Sequence, residues 1–392
     1  MNIKNDFPFL LNNPNLVYLD SACTSIKPRI VIDAEKRYYE EFAACGARSS
    51  HKFGAKTSEE LDKSREVVAN FVNAKSENVV WTRNTTEGLN LVANCVDFSK
   101  RKKVVTTITE HHSVLLPLLK LRDAGKIDLQ VLKTTSGVVS LEQWETAIDK
   151  QTSLVVTHNS SNTTSIRQNT KQIARIAHNT GALICIDGAQ GVPHYAIDFK
   201  GDDLDFLCFS GHKMLGPTGI GALIAKQELL KQMPQFLVGG GTVKTVSLEK
   251  VVVADDNSKF EAGIQHYAGI FGFAAACTYL QKLGMKNVEA HEKMLSEAML
   301  KVLKESNATI YGSSENRGAL YSFNLRSAAP HELALMLDKQ NIAVRSGFFC
   351  AQPAIEALNA KQGAVRASAY VYNSVEDVKK LGDALKKLSI LY

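Results

Sequence analysis

Between Lys75 and Lys226 the chain repeats one pattern: a short apolar run rich in β-branched residues, a polar turn and, in several places, an amphipathic helix. The runs are "NVVWT" at 78–82, "KVVTTIT" at 103–109, "LQVLKT" at 129–134, "SLVVTH" at 153–158, "ALICID" at 182–187, "DFLCFS" at 205–210 and "IGALIA" at 220–225. Runs this short, bounded by turn residues, read as strands rather than buried helices. The intervening "LLPLLKLRDAG" and "TKQIARIAHNTG" space their apolar residues as helices do. Each closes on a glycine, which suits a helix terminus. Strands that alternate with helices pair mostly in parallel, and near-continuous apolar strands need cover on both faces. The expected architecture is α/β: a large domain, 15–267, with a mostly parallel seven-stranded sheet covered by helices.

After about Ala268 the pattern changes. A long helical stretch, "IFGFAAACTYLQKLG" with "KNVEAHEKMLSEAMLKVLKE", leads into "ALYSFNLR", "NIAVRSG", "AVRASAYVY" and "SVEDVKKLGDALKKL". This reads as a smaller α+β domain, 268–392, and 1–14 can pack on either part. A chain of 392 residues exceeds what one core usually serves, which agrees with two domains.

Composition narrows the function. The net charge of +6 is small and the lysines are scattered rather than gathered in a basic stripe, so nucleic acid is not an expected partner. The start, "MNIKNDFPFLLNNPN", has no basic region followed by an apolar run, and no segment approaches the roughly 18 apolar residues of a membrane span. The expected location is cytoplasmic, with no membrane partner. The seven cysteines include no C-x-x-C pair and no close Cys/His ligand spacing, and an odd count suits a disulfide framework poorly, so neither disulfides nor a metal are expected.

In an open α/β sheet, ligands gather beyond the carboxyl ends of the strands. There "KVVTTITE" is followed by His111, "SLVVTHNSS" by Asn162, "ALICI" by Asp187 with Gln190 three residues on, and "DFLCF" by Ser210, His212 and Lys213. The loop after "NVVWT" carries Thr85 and Thr86 at the start of a helical pattern. A lysine at the end of a buried strand either snorkels outward or has a chemical task, because a buried ammonium loses its hydration. Together these ends offer an amine to hold an aldehyde as a Schiff base, a carboxylate to keep a ring nitrogen protonated, a flat side chain to stack, and hydroxyls at a helix N-terminus for phosphate. Pyridoxal 5′-phosphate needs all four.

The strings "DGAQ" and "SGHKMLGPTGIG", with the span from "YLDSA" at Tyr18 to "VRAS" at Arg366, resemble the class V, fold-type I pyridoxal phosphate enzymes, and over the whole chain the type II cysteine desulfurases and selenocysteine lyases. The resemblance implies Lys213 as the Schiff-base lysine, Asp187 on the pyridine nitrogen, Gln190 near the ring phenolate and His111 stacked over the ring. It places Thr86, Ser210 and His212, with Thr85, on the phosphate. In "RSGFFCAQP" it implies Cys350 as the nucleophile that takes sulfur from the substrate and releases alanine. Arg366 matches the clamp on the substrate carboxylate; Asn162 and His51 match pocket positions, and Arg345 lies near the cysteine loop. It further implies L-cysteine or L-selenocysteine as substrate, a homodimer, and a small sulfur-acceptor protein serving iron–sulfur clusters or other sulfur-containing products.

Plainer readings stand beside these. Taken alone, Lys213 also reads as a surface lysine in a loop and His111 and His212 as polar residues satisfied by backbone, but Asp187, Gln190 and His111 at neighbouring strand ends weigh against this. Cys350, among Phe348, Phe349 and Ala351, also reads as a small core residue, with less weight than the nucleophile reading. Cys185 and Cys208, inside apolar strands, read as core. Ile264 stands where the family usually has a threonine that reaches the phosphate across the dimer, Phe348 and Phe349 replace frequent histidines, and "HNSSNTTSIRQN" holds one extra residue. Another C–S lyase, an aminotransferase that does not use Cys350, or a low-turnover sulfur-relay scaffold remain alternatives.

Overall fold

The seven predicted strands form a single sheet. In the computed structural model, which describes residues 3–46, 49–325 and 328–389, they are β1 (Val79–Thr82), β2 (Lys103–Thr107), β3 (Asp128–Leu132), β4 (Thr152–His158), β5 (Leu183–Asp187), β6 (Phe206–Ser210) and β7 (Gly221–Ala225). Their order across the sheet is β1-β7-β6-β5-β4-β2-β3. The pairs within β3-β2-β4-β5-β6 are parallel, and β7 is antiparallel to both its neighbours. Strands β1 and β4 to β7 are buried along almost their whole length, whereas edge strand β3 alternates between exposed and covered residues. The fully apolar runs therefore lie where helices cover both faces.

The strand order reverses between β2 and β4, which is where a crevice opens at the carboxyl edge of such a sheet. His111 follows β2, and Asn162 follows β4. Helix Thr85–Cys95 comes down onto the same edge. Its Gly88 faces strand β6 so closely that an added Cβ would lie 3.0 Å from Cys208 Sγ. The missing side chain lets that helix sit low over the sheet.

The long helical stretch after Ala268 proves to be two helices, Tyr267–Leu283 and Met285–Glu305, separated by Gly284 at φ 79°. A left-handed backbone angle of this kind ends a helix, and glycine adopts it without a Cβ clash. Helix Tyr267–Leu283 packs against helices Arg29–Glu41 and Lys52–Phe71, and its Ile270, Phe273 and Leu280 belong to the same core as the sheet.

A second core surrounds a four-stranded antiparallel sheet, ordered Ala308–Ile310, Leu320–Leu325, Ala364–Ser368, Arg345–Gly347. Val17 and Leu19 join this core, because Val17–Tyr18 pairs in parallel with Ile342–Ala343. Phe7 instead packs in the first core, edge-on to Tyr279 and Tyr372. Lys4 reaches Asp377 at 2.9 Å. The chain thus runs from the second core past the sheet edge at Asp20–Ser25 into the first.

Candidate active site

Every predicted site residue except His51 lines one cleft, with about 940 Å³ of empty space, where the two cores meet. That size suits a cofactor together with a small substrate. Lys213 ends the turn after β6, half-buried in the cleft wall. Burial of its amine pushes the pKa down, and Arg366 pushes the same way, while Asp187 pulls it up. A lysine that gives up its proton more easily is available as a nucleophile or base. The surface-lysine reading therefore gives way.

Asp187 ends β5 and is 5% exposed. One oxygen accepts the Ala189 N–H at 2.9 Å. Burial raises its pKa, against the pull of Lys213 and that N–H. A buried carboxylate facing a cleft is eased by a cationic partner there. A protonated ring nitrogen is such a partner.

His111 is the N-cap of helix His112–Asp123, and its Nδ1 accepts the Ser113 N–H at 3.0 Å. An accepting Nδ1 puts the proton of the neutral ring on Nε2. Burial, then Lys213, His112 and Arg366, hold its pKa down at about 3. His212 is held down at about 4 by burial and by Lys213 and Lys27. Both rings are neutral near pH 7, so His111 can stack on a cationic ring without repulsion.

Hydroxyls crowd the N-terminus of helix Thr85–Cys95. Thr85 N–H donates to Ser210 Oγ at 2.7 Å, and Thr85 Oγ1 lies 2.6 Å from the same oxygen. Thr86 Oγ1 lies 2.6 Å from Ser113 Oγ. Asn84 caps the helix by accepting the Glu87 N–H at 3.0 Å. Free N–H groups and hydroxyls at a helix start form a ready phosphate cradle.

The far wall carries Arg366, Asn162 and Cys350. Arg366, 3% exposed, donates from Nη1 to Asn162 O at 2.8 Å and lies over the Phe349 ring, 4.7 Å from its centroid. Burial lowers its pKa to about 10, which leaves it cationic. Phe349 and Cys350 both take left-handed backbone angles, φ 54° and 55°, at a cost of about 1 kcal/mol or more each. Asn162 Nδ2 donates to Phe349 O at 2.8 Å, and His112 N–H to Cys350 O at 2.7 Å, holding the bend. Phe349 is buried while Cys350 is exposed, so the core reading of Cys350 fails. Cys185 and Cys208 are buried, as read.

Arg345 forks onto Asp20, with Nη2 at 2.9 Å and Nε at 3.1 Å from Oδ2. His51 stands outside the cleft, exposed, where its Nδ1 caps helix Lys52–Phe71 by accepting the Gly54 N–H at 3.2 Å. Ile264 lies on a separate open groove beside Cys45 and Tyr267.

Sequence reasoning missed three features. Cys23 lines the cleft; its only signal was its place in "YLDSACTS". Ser113 anchors both His111 and Thr86. Behind Asp187 lies a buried pair, Glu110 with His158, Oε2 to Nδ1 3.1 Å apart. Glu110 Oε1 also accepts from Thr107 at 2.7 Å and Thr157 at 2.9 Å. Burial would lower the His158 pKa, but the Glu110 and Asp187 carboxylates outweigh it and raise it. Its signal was present, since "TEHH" and "VTH" end neighbouring strands, but only the sheet order joins them.

This donor set fits pyridoxal 5′-phosphate: an amine freed by burial, a buried carboxylate awaiting a cation, a neutral flat ring and a hydroxyl-lined helix start. Among the described residues no cluster of side chains could hold a metal ion, and no helix is long and apolar enough to cross a membrane.

The family model for aminotransferase class V matches residues 17–381. A probable cysteine desulfurase of Methanothermobacter thermautotrophicus is 37% identical over 393 residues, covering 99% of this chain and 97% of that protein. The cysteine desulfurase of Haloferax volcanii is 38% identical over 378 residues, covering 94% and 88%. The solved structure of a cysteine desulfurase from Thermococcus onnurineus NA1 superposes with a TM-score of 0.94 at 34% identity, covering 100% of this chain and 98% of that one. A fold, a cleft and a sequence that agree over nearly the full length leave one conclusion: this chain belongs to the aminotransferase class-V family.

Proposed function

We propose that the chain is a pyridoxal phosphate-dependent cysteine desulfurase, which takes sulfur from L-cysteine, releases L-alanine and keeps the sulfur as a persulfide on Cys350. The observation that carries this reading is the meeting, in one cleft, of the Lys213–Asp187–His111 set with an exposed thiol and a buried guanidinium. When bound, pyridoxal phosphate supplies an aldehyde for the substrate amine and a sink for the electrons left at its α-carbon.

The chain's own residues do the rest. Thr85, Thr86, Ser210 and His212 would hold the phosphate, Asp187 the ring nitrogen and Gln190 the phenolate edge. Arg366 would bind the substrate carboxylate with its free donors, since Nε is buried without a partner; a guanidinium offers the matching planar fork. Lys213 Nζ, its proton loosened by burial, can take the α-proton. The Cys350 thiolate then attacks the substrate sulfur. An S–S bond forms, the carbon–sulfur bond breaks with its pair going to carbon, and a proton completes the methyl group of alanine.

We further infer a homodimer, with the persulfide passed on to a small acceptor protein. Support for the dimer comes from Val238 (76% exposed), Val246 (68%), Leu248 (103%) and Ile264 (74%), apolar residues that the single chain leaves in water. Such patches mark association surfaces.

The test supplies the enzyme with L-cysteine and measures alanine with a thiol reductant present, and in a parallel sample without reductant examines Cys350 by mass spectrometry. Alanine and one added sulfur on Cys350 are expected, and Cys350→Ser should abolish both. Alanine release from L-cysteine that survives Cys350→Ser would overturn the persulfide step. Alanine from L-selenocysteine alone would assign a selenocysteine lyase instead.

A further inference from the structure

Two thiols face the cleft. Cys23 and Cys350 both line it, one half-buried and the other exposed, whereas Cys95, Cys185, Cys208 and Cys277 are buried and Cys45 lies on the separate groove. Cys23 sits in a turn closed by its own N–H on Asp20 O at 3.0 Å. The turn is pinned on both sides: Gln190 Nε2 donates to Ala22 O at 2.8 Å, and Thr24 Oγ1 to His212 O at 3.2 Å. These bonds pin the Cys23 turn beside the Gln190 and His212 segments, which line the same cleft.

One guanidinium joins this turn to the Cys350 loop. Arg366 Nη2 lies 3.7 Å from Asp20 Oδ1, and the same group covers the Phe349 ring at 4.7 Å. Its Nε, in a side chain 3% exposed, has no hydrogen-bond partner, so this wall of the cleft presents a donor to an anion, which in the desulfurase reading is the substrate carboxylate. Cys23 and Cys350 are both within electrostatic reach of Lys213. Cys23 is also within reach of Lys27, Arg345 and Arg366.

Resting on the desulfurase reading above, we propose that Cys23 is a second sulfur carrier, which takes the terminal sulfur from the Cys350 persulfide. The Cys23 thiolate attacks that sulfur, by the same displacement as in thiol–disulfide exchange. A bond forms between Cys23 Sγ and the terminal sulfur, and the bond to Cys350 Sγ breaks with its electron pair going to Cys350. The persulfide proton travels with the sulfur. No oxidant or reductant is consumed. Cys350 emerges as a thiolate, ready for a second substrate, and the first sulfur moves from an exposed mouth to a half-buried site. The protomer then stores sulfur from two turnovers before an acceptor arrives.

The test incubates the holoenzyme with L-cysteine and no reductant, blocks free thiols by alkylation and maps added sulfur by peptide mass spectrometry. Wild type should carry sulfur on both the Cys23 and Cys350 peptides. Cys23→Ala should carry about half the total, and Cys350→Ser should leave Cys23 bare. A loaded Cys350 beside an unmodified Cys23 would overturn the relay, as would a Cys23–Cys350 disulfide or sulfur on Cys23 in Cys350→Ser. A Cys350 that never loads would overturn the desulfurase reading itself, so the two failures are distinct.

Discussion

His111 shows how one residue's surroundings set both its role and its pH dependence. Its ring is held neutral, with a pKa of about 3 against an ordinary 6.5, by burial and then by Lys213, His112 and Arg366. The unfolded chain binds a proton on this residue that the folded chain refuses, so between these values stability rises with pH and is lost as pH falls. Without bound cofactor, His111→Phe should therefore flatten the loss of stability between pH 7 and pH 5, by on the order of 1 kcal/mol. Denaturant titrations at both pH values check this, and an unchanged slope would mean that the ring titrates normally. At this scale the sequence was legible wherever a polar residue directly follows an apolar run, as for His111, Asp187 and Lys213. Glu110 meets His158 only through sheet order, and Cys23 and Cys350 come to line one cleft only through the packing of the two cores, which no local pattern encodes. His51 matched a pocket position, yet within its own chain it caps a helix.

Helix Thr85–Cys95 is the element on which the proposed phosphate cradle rests, and its start is held by Asn84 accepting the Glu87 N–H. Asn84→Ala removes that acceptor and should cost about 1 kcal/mol. The frayed first turn should also weaken the cradle. Thermal unfolding should show a lower Tm, and titration with pyridoxal phosphate a raised Kd; a lowered Tm with unchanged affinity would confine Asn84 to stability. Elements were legible where period and length agreed, which is why all seven strands of the large sheet were located to within a few residues. The break at Gly284 was not. A glycine inside a helical pattern costs only about 1 kcal/mol, so the pattern reads on through it. Here the close packing of Tyr267–Leu283 on two earlier helices assigns that helix to the first core, and the chain must turn to reach the second.

At the scale of the whole molecule, the cleft lies where the two cores meet, and a separate open groove is lined by Ile264, Cys45 and Tyr267. Apolar residues gather along the same stretch of chain: Leu237 and Val238 precede the hairpin Val243–Val246 and Val251–Val253, and Leu248 at its tip is fully exposed. A two-stranded hairpin is at best marginally stable alone in water, so one that shows valine and leucine to solvent calls for a covering surface. A second copy of the chain, as proposed above, would meet that need. The double substitution Val246→Asp with Leu248→Asp should weaken self-association by about 100-fold, because unpaired carboxylates would have to lose their hydration in the contact. Sedimentation of wild type as a dimer and of the variant as a monomer at the same concentration is the expected result. If both sediment alike, the hairpin lies away from any subunit contact, and the apolar stretch must serve a different partner such as the sulfur acceptor.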